Sequence, residues 1–452
     1  MQKTKKLFGT DGVRGLANVE LTAQLAFDLG WAGAKVLTKQ NKAPNILIAT
    51  DTRISSGMLQ AAICAGMCSV GANVHVAGVI PTPAVAYLVK KHRFDAGCMI
   101  SASHNPYQDN GIKYFNEHGH KLSDELEAEI EDLIYKGEFN PTLSHEKIGK
   151  INKNDTALTE YIDYLKDTLE NIDFRGLCVA LDCANGATYE AASAIFKELG
   201  AFVITLNNTP DGVNINRNCG STHMDNIVNY VKNSIIGMDI AFAYDGDGDR
   251  CFAVDELGNI VDGDMIMSII GNHLKESGKL KKNTIVSTIM SNLGFFIMAK
   301  NQGIEALQAK VGDRYVLEKM LEDGYNFGGE QSGHIIFLDH ATTGDGILSS
   351  LMLTAVLMKK KQTLSKLNTL MKKMPQALIN ASVPNDAKVR VLSDVKLQES
   401  IKSLEKELEG YGRILVRPSG TEPLVRVMIE GEDLAKITND AKSIADIMEK
   451  LV

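Results

Sequence analysis

Three stretches of the chain share one pattern of apolar and polar positions. Each begins with a short, continuously apolar run, continues through a polar turn into a helical segment, and reaches a second apolar run after a glycine. The three stretches are 46–79, 177–207 and 284–310. Short apolar strands that alternate with helices are typical of parallel sheets covered on both faces. The pattern therefore predicts three related α/β domains.

The pattern changes after residue 372. After the segment 376–384 and a charged helical segment near 395–409, the segment 413–431 has the pattern of two alternating strands around a tight turn, and a last helix runs to Val452. Alternating strands between amphipathic helices indicate a smaller α+β domain. We expect four domains with the boundaries 1–152, 153–255, 256–371 and 372–452.

Composition and charge exclude several classes of protein. The formal net charge of −8 provides no basic footprint for nucleic acid. Seven cysteines without a C-x-x-C pair are not typical of a disulfide framework or a zinc site, which favours the reduced cytosol. The stretch 54–89 contains no charged residue, but glycine and prolines interrupt it, whereas a membrane span needs about 20 predominantly apolar residues. We expect a soluble cytoplasmic protein without a signal peptide that binds neither nucleic acid nor membranes.

The strongest chemical signal is the segment 245-DGDGDR-250. Asp245, Asp247 and Asp249 are separated by single glycines, so their carboxylates can converge, and such repulsion is relieved by a bound cation. Oxygen ligands of this kind suit Mg²⁺. Two alternatives remain open, an acidic turn without a metal and a calcium loop of the EF-hand type. The calcium loop requires glycine where Arg250 stands, and it requires flanking helices where the pattern predicts strands.

Two further segments are rich in polar groups. In 417-RPSGTEPLVR-426 a glycine allows a sharp turn, and the arginines and hydroxyls can surround an anion, although an ordinary hairpin turn has the same composition. The candidate phosphate-binding residues are Arg417, Ser419, Gly420, Thr421 and Arg426. In 328-GGEQSGHIIF-337 the crowded Glu330, Ser332 and His334 suit the hydroxyl groups or the amine of a sugar, although His334 could equally be structural.

The segment 101-SASHNP-106 places a serine beside a histidine. Neighbouring side chains on a strand point to opposite faces, so His104 is not an obvious base for Ser103. A serine hydrolase is disfavoured because the segment lacks the G-x-S-x-G elbow. The glycine-rich start 8-FGTDGVRG-15 is a weak signal on its own, because such a loop can simply be a turn.

Taken together, the order FGTDGVRG, SASHNP, DGDGDR, GEQSGH and RPSGTEP resembles the α-D-phosphohexomutase superfamily, over nearly the whole chain. The resemblance implies three mixed-sheet α/β domains and a smaller α+β domain around a central cleft. It also implies that Ser103 carries a phosphoryl group, and that one Mg²⁺ is held by Ser103, Asp245, Asp247 and Asp249. It assigns Arg14, Lys113 and Arg250 to the cations near the transferring group, with Lys113, or less strongly His334, as acid or base. Substrate binding falls to Arg250, Glu330, Ser332 and His334.

The activity that this resemblance implies is transfer of a phosphoryl group between two positions of a hexose phosphate. The start KLFGTDGVRG and the GEQSGH segment favour glucosamine phosphate, a precursor of UDP-N-acetylglucosamine and the cell wall. A glucosamine or glucose 1,6-bisphosphate would prime the enzyme, and a homodimer is expected by resemblance alone. The alternatives are a glucose or mannose phosphate mutase of the same superfamily, a Mg²⁺-dependent phosphatase with an aspartyl nucleophile, and a calcium-binding scaffold.

Overall fold

The structure is a computed structural model of the chain. It describes residues 6–9, 11–38, 43–137, 139, 143–170, 172–419 and 422–452. Contacts within the chain divide it into two compact units. The first unit comprises Met1–Met290 and Gly303–Leu370, and the second comprises Ser291–Gln302 and Met371–Val452.

The first sheet of unit 1 has six strands in the order β1-β5-β4-β2-β3-β6. Strands β2, β3, β4 and β6 are parallel, whereas β5 and β1 run antiparallel at one edge. The strands are β1 Val13–Leu16, β2 Asn45–Thr50, β3 Asn73–Val79, β4 Ala96–Ile100, β5 Asp109–Asn116 and β6 Ile151–Lys153. The helices of this part are α1 Ala23–Leu37, α2 Ser56–Ser69, α3 Thr82–His92 and α4 Asp124–Lys136.

The second sheet of unit 1 has five strands in the order β11-β10-β9-β7-β8. Strand β7 is parallel to β8 and β9, whereas β10 is antiparallel to β9 and β11. The strands are β7 Cys178–Asp182, β8 Phe202–Leu206, β9 Ile240–Tyr244, β10 Cys251–Asp255 and β11 Ile260–Val261, with helices α5 Ala157–Asp167, α6 Ala191–Glu198 and α7 Asp225–Asn233.

The third sheet of unit 1 has four strands in the order β13-β12-β14-β15. Strand β12 is parallel to both β13 and β14, and β15 returns antiparallel to β14. The strands are β12 Thr284–Thr288, β13 Glu305–Ala309, β14 Phe327–Gly329 and β15 Ile335–Phe337, with helices α8 Gly263–Glu276, α10 Asp313–Asp323, α11 Gly346–Lys360 and α12 Leu364–Asn368.

Unit 2 is built on a three-stranded antiparallel sheet in the order β16-β18-β17. Apolar side chains of its helices pack with the sheet into a separate core. The strands are β16 Gln376–Ser382, β17 Arg413–Pro418 and β18 Leu424–Glu430, with helices α9 Leu293–Asn301, α13 Lys388–Leu392, α14 Val395–Glu407 and α15 Leu434–Lys450.

The strand–helix–strand pattern of the three repeated stretches is confirmed, since each gives a parallel strand pair joined by a helix. The fold class is confirmed as well, with three mixed α/β sheets and a smaller C-terminal α+β part. None of the helices in the described ranges is long and apolar enough to cross a bilayer.

Candidate active site

The acidic loop between β9 and β10 brings three buried carboxylates together. One oxygen each of Asp245, Asp247 and Asp249 lies within 4.8 Å of the others. Both glycines between the aspartates are needed. A neighbouring backbone group leaves no room for a side chain at the first, and the second has a backbone conformation that favours glycine. A Cβ atom at Gly246 would lie 2.5 Å from the carbonyl oxygen of Ser103, and Gly248 adopts a left-handed φ of 73°.

The backbone of this loop is held from three sides. The carbonyl groups of residues 246–248 accept hydrogen bonds, in order, from the amides of Ala187, Thr82 and Gly346, at 2.8, 2.9 and 3.0 Å. Thr82 begins α3 and Gly346 begins α11, so elements packed on different sheets of unit 1 fix the loop. The backbone of the acidic loop is therefore positioned by main-chain contacts with other elements of unit 1.

The carboxylates fit a divalent cation. The Oδ1 atoms of Asp247 and Asp249 are buried and have no hydrogen-bond partner among the described residues. Burial and the neighbouring carboxylates of Asp249 and Asp247 raise the pKa of Asp245 well above its usual range. Buried carboxylate oxygens left without partners are costly unless a cation pairs with them. Carboxylate oxygens of this kind suit a hard divalent cation such as Mg²⁺.

Ser103 lies directly beside these carboxylates. Its side chain is buried, and its Oγ donates to Oδ2 of Asp245 at 2.6 Å. Its φ of 53° lies in the left-handed region, which is rare for a residue other than glycine and is often found at functional sites. The backbone N–H of Ser103 donates to the Oγ of Ser101 at 3.0 Å. Ser101 is thus a neighbour that supports the turn.

Two side chains that the sequence analysis did not identify hold the serine turn. The Nη2 of Arg53 donates to the carbonyl oxygens of Ser103 and Asn105, at 2.9 Å each. The Nδ2 of Asn216 donates to the same two oxygens at 2.8 and 3.0 Å. Arg53 is itself paired with Asp51 at 2.8 Å, and both side chains are fully buried. No local pattern in the sequence marks either residue as a support for the serine.

His104 does contact Ser103, but weakly. Its Nδ1 lies 3.4 Å from the serine Oγ, which is much farther than the carboxylate of Asp245. Burial, together with the positive charges of Arg250 and Arg14, lowers the pKa of His104 to about 4. The imidazole is therefore neutral near pH 7, and the serine hydroxyl directs its hydrogen to Asp245.

Lys113 joins the acidic loop to the N-terminal loop. Its Nζ lies 2.8 Å from Oδ2 of Asp247 and 2.8 Å from Oδ2 of Asp11. Although burial works in the opposite direction, these carboxylates raise the pKa of Lys113 above its usual value. Arg14 also pairs with Asp11. Two predicted cations, Arg14 and Lys113, are thus brought together by an aspartate that was not identified as a site residue.

A second lysine extends this cluster. Lys121 lies 2.6 Å from Oδ1 of Asp11 and pairs with Asp313 at the start of α10. Asp313 in turn lies 3.6 Å from Nε2 of His334. Lys121 and Asp313 stand in stretches without a recognisable motif, so no local pattern in the sequence marks either as a site residue.

Both ring nitrogens of His334 face protein groups. The amide N–H of Gly344 donates to Nε2 at 2.9 Å, and Nδ1 lies 3.4 Å from Oδ2 of Asp249. Burial lowers the pKa of His334, but the carboxylate of Asp249 raises it, and the net result is a pKa above the usual value. A proton on Nε2 would nevertheless oppose the Gly344 N–H, so the geometry favours the neutral ring with its proton on Nδ1, towards Asp249. This arrangement suits orientation of a metal ligand.

The predicted sugar loop is attached to the strand that follows the acidic loop. The amide of Cys251 donates to the carbonyl of Gly333 at 3.1 Å. Oε1 of Glu330 accepts from the amide of Gly312 at 3.0 Å, whereas the buried Oγ of Ser332 has no partner among the described residues. The Nε of Arg250 lies 3.8 Å from Oδ1 of Asp249. Glu330 and Ser332 thus retain hydrogen-bonding capacity for a ligand.

The remaining candidates lie in unit 2, at the end of the β17–β18 hairpin. Arg417 and Arg426 are directly opposite each other on the two strands. Burial and the charge of Arg426 lower the pKa of Arg417, and like charges in such positions are destabilising. Oε2 of Glu422 lies 2.8 Å from Arg426 and 3.4 Å from the Oγ of Ser419. The predicted Gly420 and Thr421 lie outside the described residues. An anion would relieve the repulsion between the two arginines.

Four families of domains match the chain in order. All carry the description phosphoglucomutase/phosphomannomutase: alpha/beta/alpha domain I matches residues 5–141, alpha/beta/alpha domain II matches 159–258, alpha/beta/alpha domain III matches 262–374, and the C-terminal domain matches 378–447. The matches together cover most of the chain.

Individual relatives and solved structures with related descriptions are also similar to this chain. A relative from Caldicellulosiruptor bescii called phosphoglucosamine mutase is 57% identical over 447 residues, which cover 98% of this chain and 99% of the relative. A crystal structure of a phosphoglucomutase/phosphomannomutase family protein from Burkholderia thailandensis has a TM-score of 0.82 at 23% identity, over 99% of this chain and 98% of that one. Aspergillus fumigatus N-acetylphosphoglucosamine mutase, solved with GlcNAc-6P and magnesium, has a TM-score of 0.70 at 18% identity, over 100% and 96%.

Proposed function

Because the chain belongs to the phosphoglucomutase/phosphomannomutase family, we propose that it interconverts glucosamine 6-phosphate and glucosamine 1-phosphate through a phosphoserine at position 103. The observation that carries the proposal is the 2.6 Å contact between the Oγ of Ser103 and Asp245, beside two carboxylates with unpartnered oxygens. A high identity to a relative called phosphoglucosamine mutase supports glucosamine over glucose or mannose. The product would supply UDP-N-acetylglucosamine for cell-wall synthesis.

The reaction consists of two phosphoryl transfers. In the first, the O1 hydroxyl of glucosamine 6-phosphate attacks the phosphorus of phosphorylated Ser103. The bond between phosphorus and the serine oxygen breaks, and the O1 proton ends on the serine oxygen. Glucosamine 1,6-bisphosphate is the product of this step. After the intermediate turns around, the Ser103 hydroxyl attacks the 6-phosphoryl group and the bond between phosphorus and O6 breaks. The serine proton ends on O6, and glucosamine 1-phosphate leaves. A sugar bisphosphate would prime an enzyme that has lost its phosphoryl group.

Protein cations stabilise the charge during transfer. Lys113 lies between Asp11 and Asp247, 2.8 Å from each carboxylate, where it would stabilise charge and serve as the candidate general acid or base. Arg14 and Arg250, in neighbouring loops, are positively charged like Lys113. Fixed charges in a buried site stabilise the transferring group without reorganising.

Asp245, Asp247 and Asp249 would hold one Mg²⁺ together with an oxygen on Ser103. When bound, the ion neutralises charge on the transferring phosphoryl group. His334 orients Asp249, since its Nδ1 faces that carboxylate. The carboxylates do not need to move far to bind the ion, because their loop is already held by backbone hydrogen bonds.

The sugar and its second phosphate are assigned to the other loops. Glu330 and Ser332 would bind the hydroxyl or amino groups of the sugar, because both retain free hydrogen-bonding capacity. Arg417, Ser419 and Arg426, with the predicted Gly420 and Thr421, would bind the phosphate that is not being transferred. A homodimer in the cytoplasm remains a prediction.

A coupled assay tests this proposal. Glucosamine 6-phosphate, glucose 6-phosphate and mannose 6-phosphate are compared at equal concentrations in Mg²⁺, with a sugar 1,6-bisphosphate as primer. The highest kcat/KM is expected for glucosamine 6-phosphate, with no net release of inorganic phosphate. Inorganic phosphate as the main product, together with a fully active Ser103→Ala variant, would instead identify a phosphatase.

A further inference from the structure

We infer that Lys388 is a positioning residue for the anion-binding loop of unit 2, and that it supplies this loop with a buried positive charge. The inference rests on the proposed binding of a sugar phosphate by Arg417, Ser419 and Arg426. Lys388 does not belong to the RPSGTEPLVR segment, and it stands 31 residues before Ser419 in the sequence.

The ammonium group of Lys388 joins the two ends of the loop. Lys388 is the first residue of α13 and is only 7% exposed. Its Nζ donates to the carbonyl oxygens of Ser419 and Glu422, each at 2.6 Å, and to Oδ1 of Asn385 at 2.7 Å. An ammonium group has three hydrogens, so these three acceptors use its full donor capacity. Lys388 thus links the carbonyl groups of residues 419 and 422, in addition to the hydrogen bond that the Glu422 amide donates to the Oγ of Ser419 at 3.2 Å.

The charge on Lys388 is not neutralised by these contacts. All three acceptors are uncharged oxygens, and Lys388 forms no ion pair with a carboxylate in the described ranges of the chain. The carboxylate of Glu422 pairs with Arg426 instead. A buried charge without a counter-ion is unfavourable, so burial of Lys388 lowers the stability of the folded chain. A neutral hydrogen-bond donor would hold the loop without this cost.

A bound dianion would compensate this charge. Arg417 and Arg426 already face each other as like charges on neighbouring strands, and Lys388 adds a third cation to the same loop. One acidic group, Glu422, lies among them. The hairpin end therefore carries an excess of positive charge, which a phosphate monoester with two negative charges would match. The chemical class of ligand that suits Lys388 is thus the phosphate group of the sugar substrate.

Substitution of Lys388 by methionine tests the inference. The KM for glucosamine 6-phosphate is expected to rise about 10- to 100-fold in Lys388→Met, as for loss of a charge-assisted interaction. The kcat should change little, because the loop holds the phosphate equally in the ground state and the transition state. Inhibition by inorganic phosphate, competitive with substrate, should weaken in parallel. A merely structural role would lower the melting temperature without changing this inhibition.

Two further variants keep the result interpretable. Lys402→Met removes the same charge from an exposed position on α14 and should leave KM and phosphate inhibition as in the wild type. Lys388→Arg keeps the charge but cannot place three hydrogens on the same acceptors, so its KM should lie between those of the wild type and Lys388→Met. If Lys388→Met does not fold, this arginine variant decides, and a wild-type KM and phosphate inhibition would overturn the inference.

The variant Arg417→Met separates this inference from the function on which it rests. If Arg417→Met raises KM and Lys388→Met does not, the role of Lys388 is refuted while the phosphate-binding loop stands. If neither variant changes KM or phosphate inhibition, the loop itself does not bind the substrate phosphate. If both variants raise KM and weaken phosphate inhibition, both assignments are supported.

Discussion

The Oγ of Ser103 lies 2.6 Å from Oδ2 of Asp245, although 142 residues separate the two in the chain. Their loops follow strands of different sheets, β4 and β9, and meet within unit 1. The serine needs no histidine partner to be placed, because Arg53 and Asn216 hold its carbonyl group. Arg53 and Asn216 thus set the position of Ser103, whereas the charged groups beside its Oγ would determine its reactivity.

Ser103 should be essential for turnover and locally strained. Ser103→Ala and Ser103→Gly should both be inactive as mutases, because neither can carry the phosphoryl group. The left-handed φ of 53° favours glycine, so Ser103→Gly should be more stable than Ser103→Ala by about 1 kcal/mol. Thermal unfolding of both proteins measures the difference.

A position with ordinary helical geometry provides the control. Ser400 lies inside α14, where alanine is preferred, so Ser400→Ala should be more stable than Ser400→Gly. Equal stability of the two Ser103 variants would contradict a strained serine.

Asp247→Asn should abolish activity with little loss of stability. The substitution removes a ligand for Mg²⁺, but it also removes repulsion among three buried carboxylates. We expect turnover in Mg²⁺ to fall by at least about 10³-fold with a melting temperature near that of the wild type. Asp225→Asn, at the exposed start of α7, is the matched control. Substantial activity of Asp247→Asn in Mg²⁺ would refute the role of this carboxylate.

Arg53→Lys should impair catalysis more than substrate binding. Lysine can pair with Asp51 but cannot reach all the carbonyl groups of the serine turn that Arg53 contacts. A displaced Ser103 should reduce kcat by about 10- to 100-fold with a nearly unchanged KM. Arg217→Lys, at an exposed site, should retain the wild-type kcat. Steady-state kinetics decide, and a wild-type kcat for Arg53→Lys would show that the turn holds without it.

Glu127 should make stability depend on pH. Burial, opposed by Arg314 and aided by Asp124, raises the pKa of Glu127 to about 7, from an ordinary value of 4.5. The folded state thus binds this proton more tightly than the unfolded state, so the stabilisation is complete below pH 4.5 and is lost as the pH rises through 7. The glutamine of Glu127→Gln does not titrate, so the stability of this variant has no such dependence on pH. The melting temperature of Glu127→Gln relative to the wild type should therefore increase between pH 5 and pH 8.

Glu125 is the control for this pH dependence. Hydrogen bonds from the Ser123 hydroxyl and the backbone lower the pKa of Glu125, so its contribution is present above pH 4.5 and is lost only as the pH falls further. The difference in melting temperature between Glu125→Gln and the wild type should stay constant from pH 5 to pH 8. If the difference for Glu127→Gln stays equally constant, the carboxyl group of Glu127 does not titrate in this range.

Local patterns in the sequence predicted the elements and the carboxylate cluster. Alternation of apolar runs and helices indicates the parallel strand pairs, and three aspartates separated by glycines indicate a shared cation. Both inferences depend on residues that are close together in the chain. The same applies to the hairpin of β17 and β18, where the apolar residues alternate.

The supports of the site could not be predicted in this way. Lys121 meets Asp313 across 192 positions, and Asn216 meets Ser103 across 113, so no local pattern records either contact. The GEQSGH segment likewise does not predict the hydrogen bond that the Gly344 amide donates to His334. Side chains whose role is to hold another residue have no characteristic spacing, because their partner is determined by the tertiary fold.

The close approach of Gly246 to the carbonyl of Ser103 has a consequence for the evolution of this enzyme. Peptide groups form this junction, and a methyl group at position 246 would lie 2.5 Å from the serine carbonyl oxygen. Surrounding side chains other than Arg53 and Asn216, which hold the serine turn, can therefore change over many generations without altering the distance between nucleophile and carboxylates. Position 246, by contrast, can accept no other amino acid, so a library randomised across both loops should return a single residue there.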